Sequence, residues 1–137
     1  MSEIHTMAEI TSERMILQAE PGRPLDDWCR EAMGIEASLF SVSCGASHIG
    51  DMLEWLRARC KTGVLLVGSH NSHGPTWHVE LRGCEHYNGA APFGNTVQKI
   101  GEGTSYPQTP QHALAQAVVA VEWNRRRKVA HFAGGGI

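Results

Sequence analysis

The sequence predicts an α+β fold, a small antiparallel sheet packed with three helices. Apolar residues recur at helical spacing over 25–33, 48–61 and 110–124. Between the second and third of these, an apolar β-branched run at 64–67 precedes strict alternation over 77–82. Over 137 residues, 42% are hydrophobic and 19% charged, which suits one domain with one buried core. No apolar run approaches the ~20 residues that cross a bilayer. Met1-Ser2-Glu3-Ile4-His5 also lacks the basic-then-apolar pattern of a secretory leader. These features argue against a membrane span, a multidomain enzyme and a disulfide miniprotein. The cytoplasm is the expected location.

Residues 1–23 read as an acidic N-terminal extension. Ile10 and Leu17 share one face of a weak helical pattern over 7–20, and Pro21-Gly22-Arg23-Pro24 then breaks the chain. A single α+β domain is expected over 24–128, followed by a flexible glycine-rich tail over 129–137. In the first helix Leu25, Trp28, Cys29, Ala32 and Met33 form one stripe, and Gly34 stops it. Asp26 and Asp27 sit in its first turn, where carboxylates suit the positive end of the helix dipole. Leu39-Phe40-Ser41-Val42-Ser43-Cys44 reads as a short strand or an extended lead-in.

Ser47 is the expected cap of the second helix, whose apolar face is Ile49, Met52, Leu53, Leu56 and Cys60. Arg57, Arg59 and Lys61 close it, and Gly63 ends it. Trp55 lies off that face and is expected to be partly exposed. The hairpin pairs Val64-Leu65-Leu66-Val67 with a strand in which Trp77, Val79 and Leu81 alternate with His78, Glu80 and Arg82. Between them, 68–76 consists almost wholly of turn residues. In the glycine- and proline-rich stretch 88–107, Thr96-Val97-Gln98-Lys99-Ile100 allows one more short strand. Thr109 caps the last helix, with Pro110 at its first position. Leu114, Ala117, Val118 and Val121 form its inner face. Ala113, Ala115, Val119 and Ala120 make it apolar nearly all round, so it should be the most buried element.

Four stretches carry a family resemblance through their order and wording. They are Leu25-Asp26-Asp27-Trp28-Cys29-Arg30-Glu31-Ala32-Met33-Gly34, Ser47-His48-Ile49-Gly50-Asp51-Met52-Leu53-Glu54-Trp55-Leu56, Trp77-His78-Val79-Glu80-Leu81, and Thr109-Pro110-Gln111-His112-Ala113-Leu114-Ala115-Gln116-Ala117. Together they resemble the phage ABA-sandwich domain of NinX-like phage and prophage proteins, over about residues 24–123. The resemblance implies a phage or prophage origin, and it brings no catalytic residues or cofactor. The expected function is therefore non-enzymatic, the binding of a host or phage macromolecule. Inhibition of a bacterial defence system is one version of it by analogy.

Charge is unevenly placed. Residues 1–36 hold eight acids against three bases, 37–122 hold six against five, and Arg125, Arg126, Arg127 and Lys128 follow without an acid. The basic run reads either as a solvated helix end that complements the dipole or as a contact for a protein partner or a second copy of the chain. Nucleic acid is disfavoured, because double-stranded RNA binders place lysines at the start of the final helix and here that start is Thr109-Pro110-Gln111-His112. Gly101-Glu102-Gly103 lacks the following helix and lysine of a phosphate loop.

Cys29, Cys44, Cys60 and Cys84 form no C-x-x-C pair, and in a reducing compartment they are expected as thiols. Cys44 precedes a helix N-terminus, but a phosphatase-type C-x5-R would need arginine where Gly50 stands. The alternative function is a zinc-dependent enzyme or zinc-stabilised module built from His70, His73, Cys84 and His86, if the hairpin brings the loop histidines to the Cys84 end.

If the basic run is a contact surface, replacing Arg125, Arg126, Arg127 and Lys128 with glutamine should leave thermal stability nearly unchanged. It should weaken partner binding or dimerisation, with an effect that fades as salt rises.

Overall fold

The most apolar segment of the chain folds as its longest helix, α4 (Pro110–Gly135). Thr109 Oγ1 accepts the His112 N–H at 3.3 Å, as expected of the cap. The computed structural model describes residues 4–35, 48–71, 74–84, 97–100 and 109–135, and in it every residue from His112 to Glu122 is buried. Three shorter helices, α1 (Glu13–Leu17), α2 (Leu25–Met33) and α3 (Ile49–Arg59), pack around α4. A three-stranded antiparallel sheet in the order β1 (Cys60–Asn71), β2 (Gly74–Cys84), β3 (Val97–Ile100) packs against it through β2. The chain is an α+β fold.

The sheet register follows from burial. Val79 and Leu81 are fully buried, and they oppose Leu66 and Val64 across the β1–β2 ladder. Leu65 and Val67, with their partners Glu80 and His78, occupy the other face, where Leu65 is 44% exposed. A slip of one residue would exchange the two sets, so the buried pairs fix the alignment. Gly68 lies directly opposite Trp77, and a Cβ there would stand 3.0 Å from the indole ring. The missing side chain lets the ring lie across β1.

Several boundaries differ from the expected ones. α3 ends at Arg59 instead of reaching 61, because Cys60 is extended (φ −114°, ψ 101°) and opens β1 opposite Cys84. Cys60 is buried in either conformation, so periodicity could not separate them. Gly63 lies inside β1, where the ladder register shifts between Cys60 and Gly63, and does not terminate the helix. Both strands extend beyond 64–67 and 77–82, and most of the expected loop 68–76 is ladder, out to Asn71 paired with Gly74. Strand pairing uses backbone groups, so polar side chains do not stop it.

α4 likewise runs past 124 to Gly135, through most of the segment expected as a tail. From Arg125 to Ala133 it meets neither glycine nor proline, and arginine, lysine and alanine are good helix formers. The possible strand at 39–44 and the expected cap Ser47 lie outside the described residues.

α2 keeps its expected bounds. Gly34 ends it in the left-handed region (φ +71°), and its N–H returns to the carbonyls of Arg30 and Glu31.

The segment before α2 docks on the core. Met7, Ile10 and Ile16 are buried in the cluster that holds Leu25, Trp28, Leu114 and Val118. Polar side chains from α2 and α4 bind it. Asp27 Oδ2 accepts the His5 N–H at 3.0 Å, and Glu31 Oε1 accepts the Met7 N–H at 3.0 Å. Trp28 Nε1 donates to Glu9 Oε1 at 2.8 Å. From α4, His112 Nε2 donates to the Ala19 carbonyl at 2.7 Å. Gln116 Nε2 donates to the carbonyls of Leu17 and Ala19 at 3.2 and 3.1 Å. The carbonyls at the end of α1 thus find donors inside the protein where water is excluded.

Burial pushes the His112 imidazole below its ordinary 6.5, against the opposing pull of the Ala19 carbonyl and Glu20. Below pH 6.5 the unfolded chain therefore takes up a proton that the folded chain resists. His112 contributes full stability above that pH and loses it as pH falls toward the folded value. The melting temperature should accordingly drop between about pH 7.5 and about pH 5.5, and His112→Gln should flatten that part of the profile.

Candidate functional site

The C-terminal half of α4 passes from buried to exposed within two turns, and the chain's charge gathers there. Glu122 is 5% exposed and would be costly to bury alone. Arg125, three residues on, binds it through two nitrogens at 2.7 and 2.8 Å, and Arg126, four residues on, adds a third contact at 2.8 Å. Burial works to raise the Glu122 carboxyl, but the two guanidinium groups outweigh it and hold it below its ordinary range. Arg126 also pairs with Glu31 of α2, whose other oxygen holds the Met7 N–H. One arginine therefore joins α4, α2 and the N-terminal segment.

Trp123 sits beside this network. Its indole Nε1 donates to the Ile10 carbonyl at 3.4 Å, and the Arg127 guanidinium lies 4.7 Å from its ring centroid. Among the described residues Arg127 is paired with no carboxylate, and it is exposed. Its NH2 donates to Asn124 Oδ1 at 3.4 Å. Trp123 and Arg127 form one wall of an open groove of about 520 Å³, with Met7, Ile10, Thr6 and Thr11 opposite in the N-terminal segment. Glu31 and Arg126 line it as well. The groove offers apolar surface, an aromatic face and two guanidinium groups against one carboxylate.

The basic run is divided by these contacts. Arg125 and Arg126 serve the fold as counterions of Glu122, which corrects the expectation that glutamine at all four positions leaves stability nearly unchanged, whereas Arg127 is presented to the groove. Lys128 continues the helix. The spacing of Glu122 to Arg125 and Arg126 is legible in the sequence as neighbours on one helix face. Glu31, Met7 and Ile10 are the residues that sequence reasoning missed, because only the packing of α2 and the N-terminal segment on α4 brings them there.

The register separates two of the four residues of the zinc alternative, His70 and Cys84. His70 is exposed and pairs with Pro75 near the hairpin turn, while Cys84 pairs with Cys60 at the other end. The nine steps from Pro75 to Cys84 along β2 span ~30 Å, so no single ion reaches both. His73 and His86 lie outside the described residues, as does Cys44. His48 caps α3 and meets Asp51 at 3.2 Å, and His78 meets Glu80 at 3.4 Å. Trp55 is half-buried, with the Arg59 guanidinium 3.6 Å from its ring centroid. Among the described residues no three of histidine, cysteine, aspartate and glutamate gather as metal ligands, and no helix is long and apolar enough to cross a membrane.

Comparison with family models, with curated proteins and with solved structures gives no match.

The two kinds of arginine should separate in denaturant titration. Glu122→Ala should cost about 1–3 kcal/mol, because it removes a buried carboxylate that accepts three charge-assisted hydrogen bonds from Arg125 and Arg126. Arg127→Ala should cost below ~1 kcal/mol, the range of an exposed cation–π contact.

Proposed function

We propose that this is a non-enzymatic binding protein of phage or prophage type, which acts by seating a segment of a host or phage protein in the groove between the N-terminal segment and α4. The observation that carries this reading is the exposed Arg127 guanidinium stacked on Trp123 beside Met7 and Ile10. Aromatic and arginine side chains supply much of the binding energy at protein interfaces. An exposed surface cation adds attraction for acidic partners that salt weakens. The order of the four sequence stretches supports the phage assignment. Inhibition of a bacterial defence system is the form of binding that this assignment favours.

A photo-crosslinking residue placed at Thr11, on the rim of the groove, tests the proposal in extracts of a bacterial host. One predominant crosslinked protein is expected, and its yield should fall at least several-fold when Arg127→Glu is combined with Trp123→Ser. Arg127→Gln alone should weaken the purified complex at low salt and matter less at high salt. If no protein is captured while a metabolite screen yields a tight ligand, the proposal is wrong.

A further inference from the structure

Cys60 and Cys84 are directly opposed on neighbouring antiparallel strands. Opposed residues in such a ladder have Cα atoms roughly 4.5–5.5 Å apart, inside the roughly 4.4–6.8 Å range that disulfides span. The two thiols are already hydrogen-bonded to each other. Cys60 is 2% exposed at the junction of α3 and β1, whereas Cys84 is only half-buried at the end of β2. The Arg59 cation acts on both sulfurs. Cys29 makes a useful contrast. It is fully buried, its Sγ lies 3.8 and 3.9 Å from the sulfurs of Met33 and Met52, and burial pushes its thiol up to about 12.

We propose that Cys60 and Cys84 form an oxidation site, a cross-strand thiol pair that closes reversibly to a disulfide when it meets a hydroperoxide. The hydrogen bond to Cys84, together with burial, pushes the Cys60 thiol up and keeps its proton on, and Cys84 is the more accessible of the two sulfurs to a peroxide. The Cys84 thiolate attacks the peroxide, so that an S–O bond forms, the O–O bond breaks and hydroxide leaves to take up a proton. The Cys60 sulfur then attacks the Cys84 sulfenic acid. An S–S bond forms, the S–O bond breaks, and the departing hydroxide takes the Cys60 proton as water. Two thiols and hydrogen peroxide thus give one disulfide and two waters. The bond would tie the α3–β1 junction to the end of β2, and a reducing thiol would reopen it. In a reducing compartment such a disulfide is transient, as redox-sensing ones are.

The test uses the full-length reduced chain, treated with hydrogen peroxide and mapped by mass spectrometry after alkylation. Two of the four thiols should be lost, with Cys60 and Cys84 recovered as one linked peptide, and dithiothreitol should restore both. Retention of all four thiols, or a dominant link through Cys29 or Cys44, overturns the proposal. Cys60→Ser should stop the reaction at a Cys84 sulfenic acid that dimedone traps. Continued loss of two thiols in that variant overturns it as well. Mapping of the wild-type chain decides the pairing even if the variant folds poorly.

Discussion

A helix that is apolar on every side has to be enclosed on every side, and this constraint on α4 organises the molecule. A sheet and two helices cannot cover it alone, because the eleven residues from His112 to Glu122 leave no face for water. The remaining flank is covered by the segment before α2, which brings Met7, Ile10 and Ile16 into the core although its local helical pattern is weak. What holds that segment is the closure of the core. Its short turns would not persist alone in water.

Enclosure also determines where the polar groups of α4 can go. His112 and Gln116 are tolerated because carbonyls at the end of α1 need donors, so a cost on each side is removed by one contact. Glu122 is tolerated because Arg125 and Arg126 follow it within one turn. Asp27 follows the same rule on α2. Burial raises its carboxyl, yet the His5 N–H and Arg23 outweigh that and hold it below its ordinary value. The charged ends of the chain are therefore partly structural. The groove beside Trp123 lies where α4 passes from buried to exposed, so Arg127 faces it while the preceding two arginines bind Glu122.

The sheet answers a different requirement. It presents Val79 and Leu81 to the helices and leaves Leu65, Glu80 and His78 on its other face. Once those two buried residues set the register, the neighbours from Gly63 out to Asn71 are determined, including Trp77 over Gly68, and the shift between Cys60 and Gly63 then puts Cys60 beside Cys84. The same register separates His70 from Cys84 by the length of the hairpin. Chemistry that needs those two together is excluded, and chemistry that needs two adjacent sulfurs becomes available.

The sequence by itself determined the α+β class, the core stripe of α2 with its Gly34 stop, the inward alternation of β2, and the all-round burial of α4 behind its Thr109 cap. Each of these rests on local periodicity or on a residue with a single conformational use, and such signals are complete within a few residues. Tertiary structure decided the rest. The passage from α3 to β1 at Cys60 depended on Cys84 standing opposite, and the ladder through 68–71 depended on a partner strand rather than on side-chain polarity. The groove depended on pairing Glu31 with Arg126 and on laying Met7 and Ile10 against Trp123, contacts between residues about a hundred positions apart. Periodicity reports which face of an element is apolar; it carries no record of which distant element will cover that face.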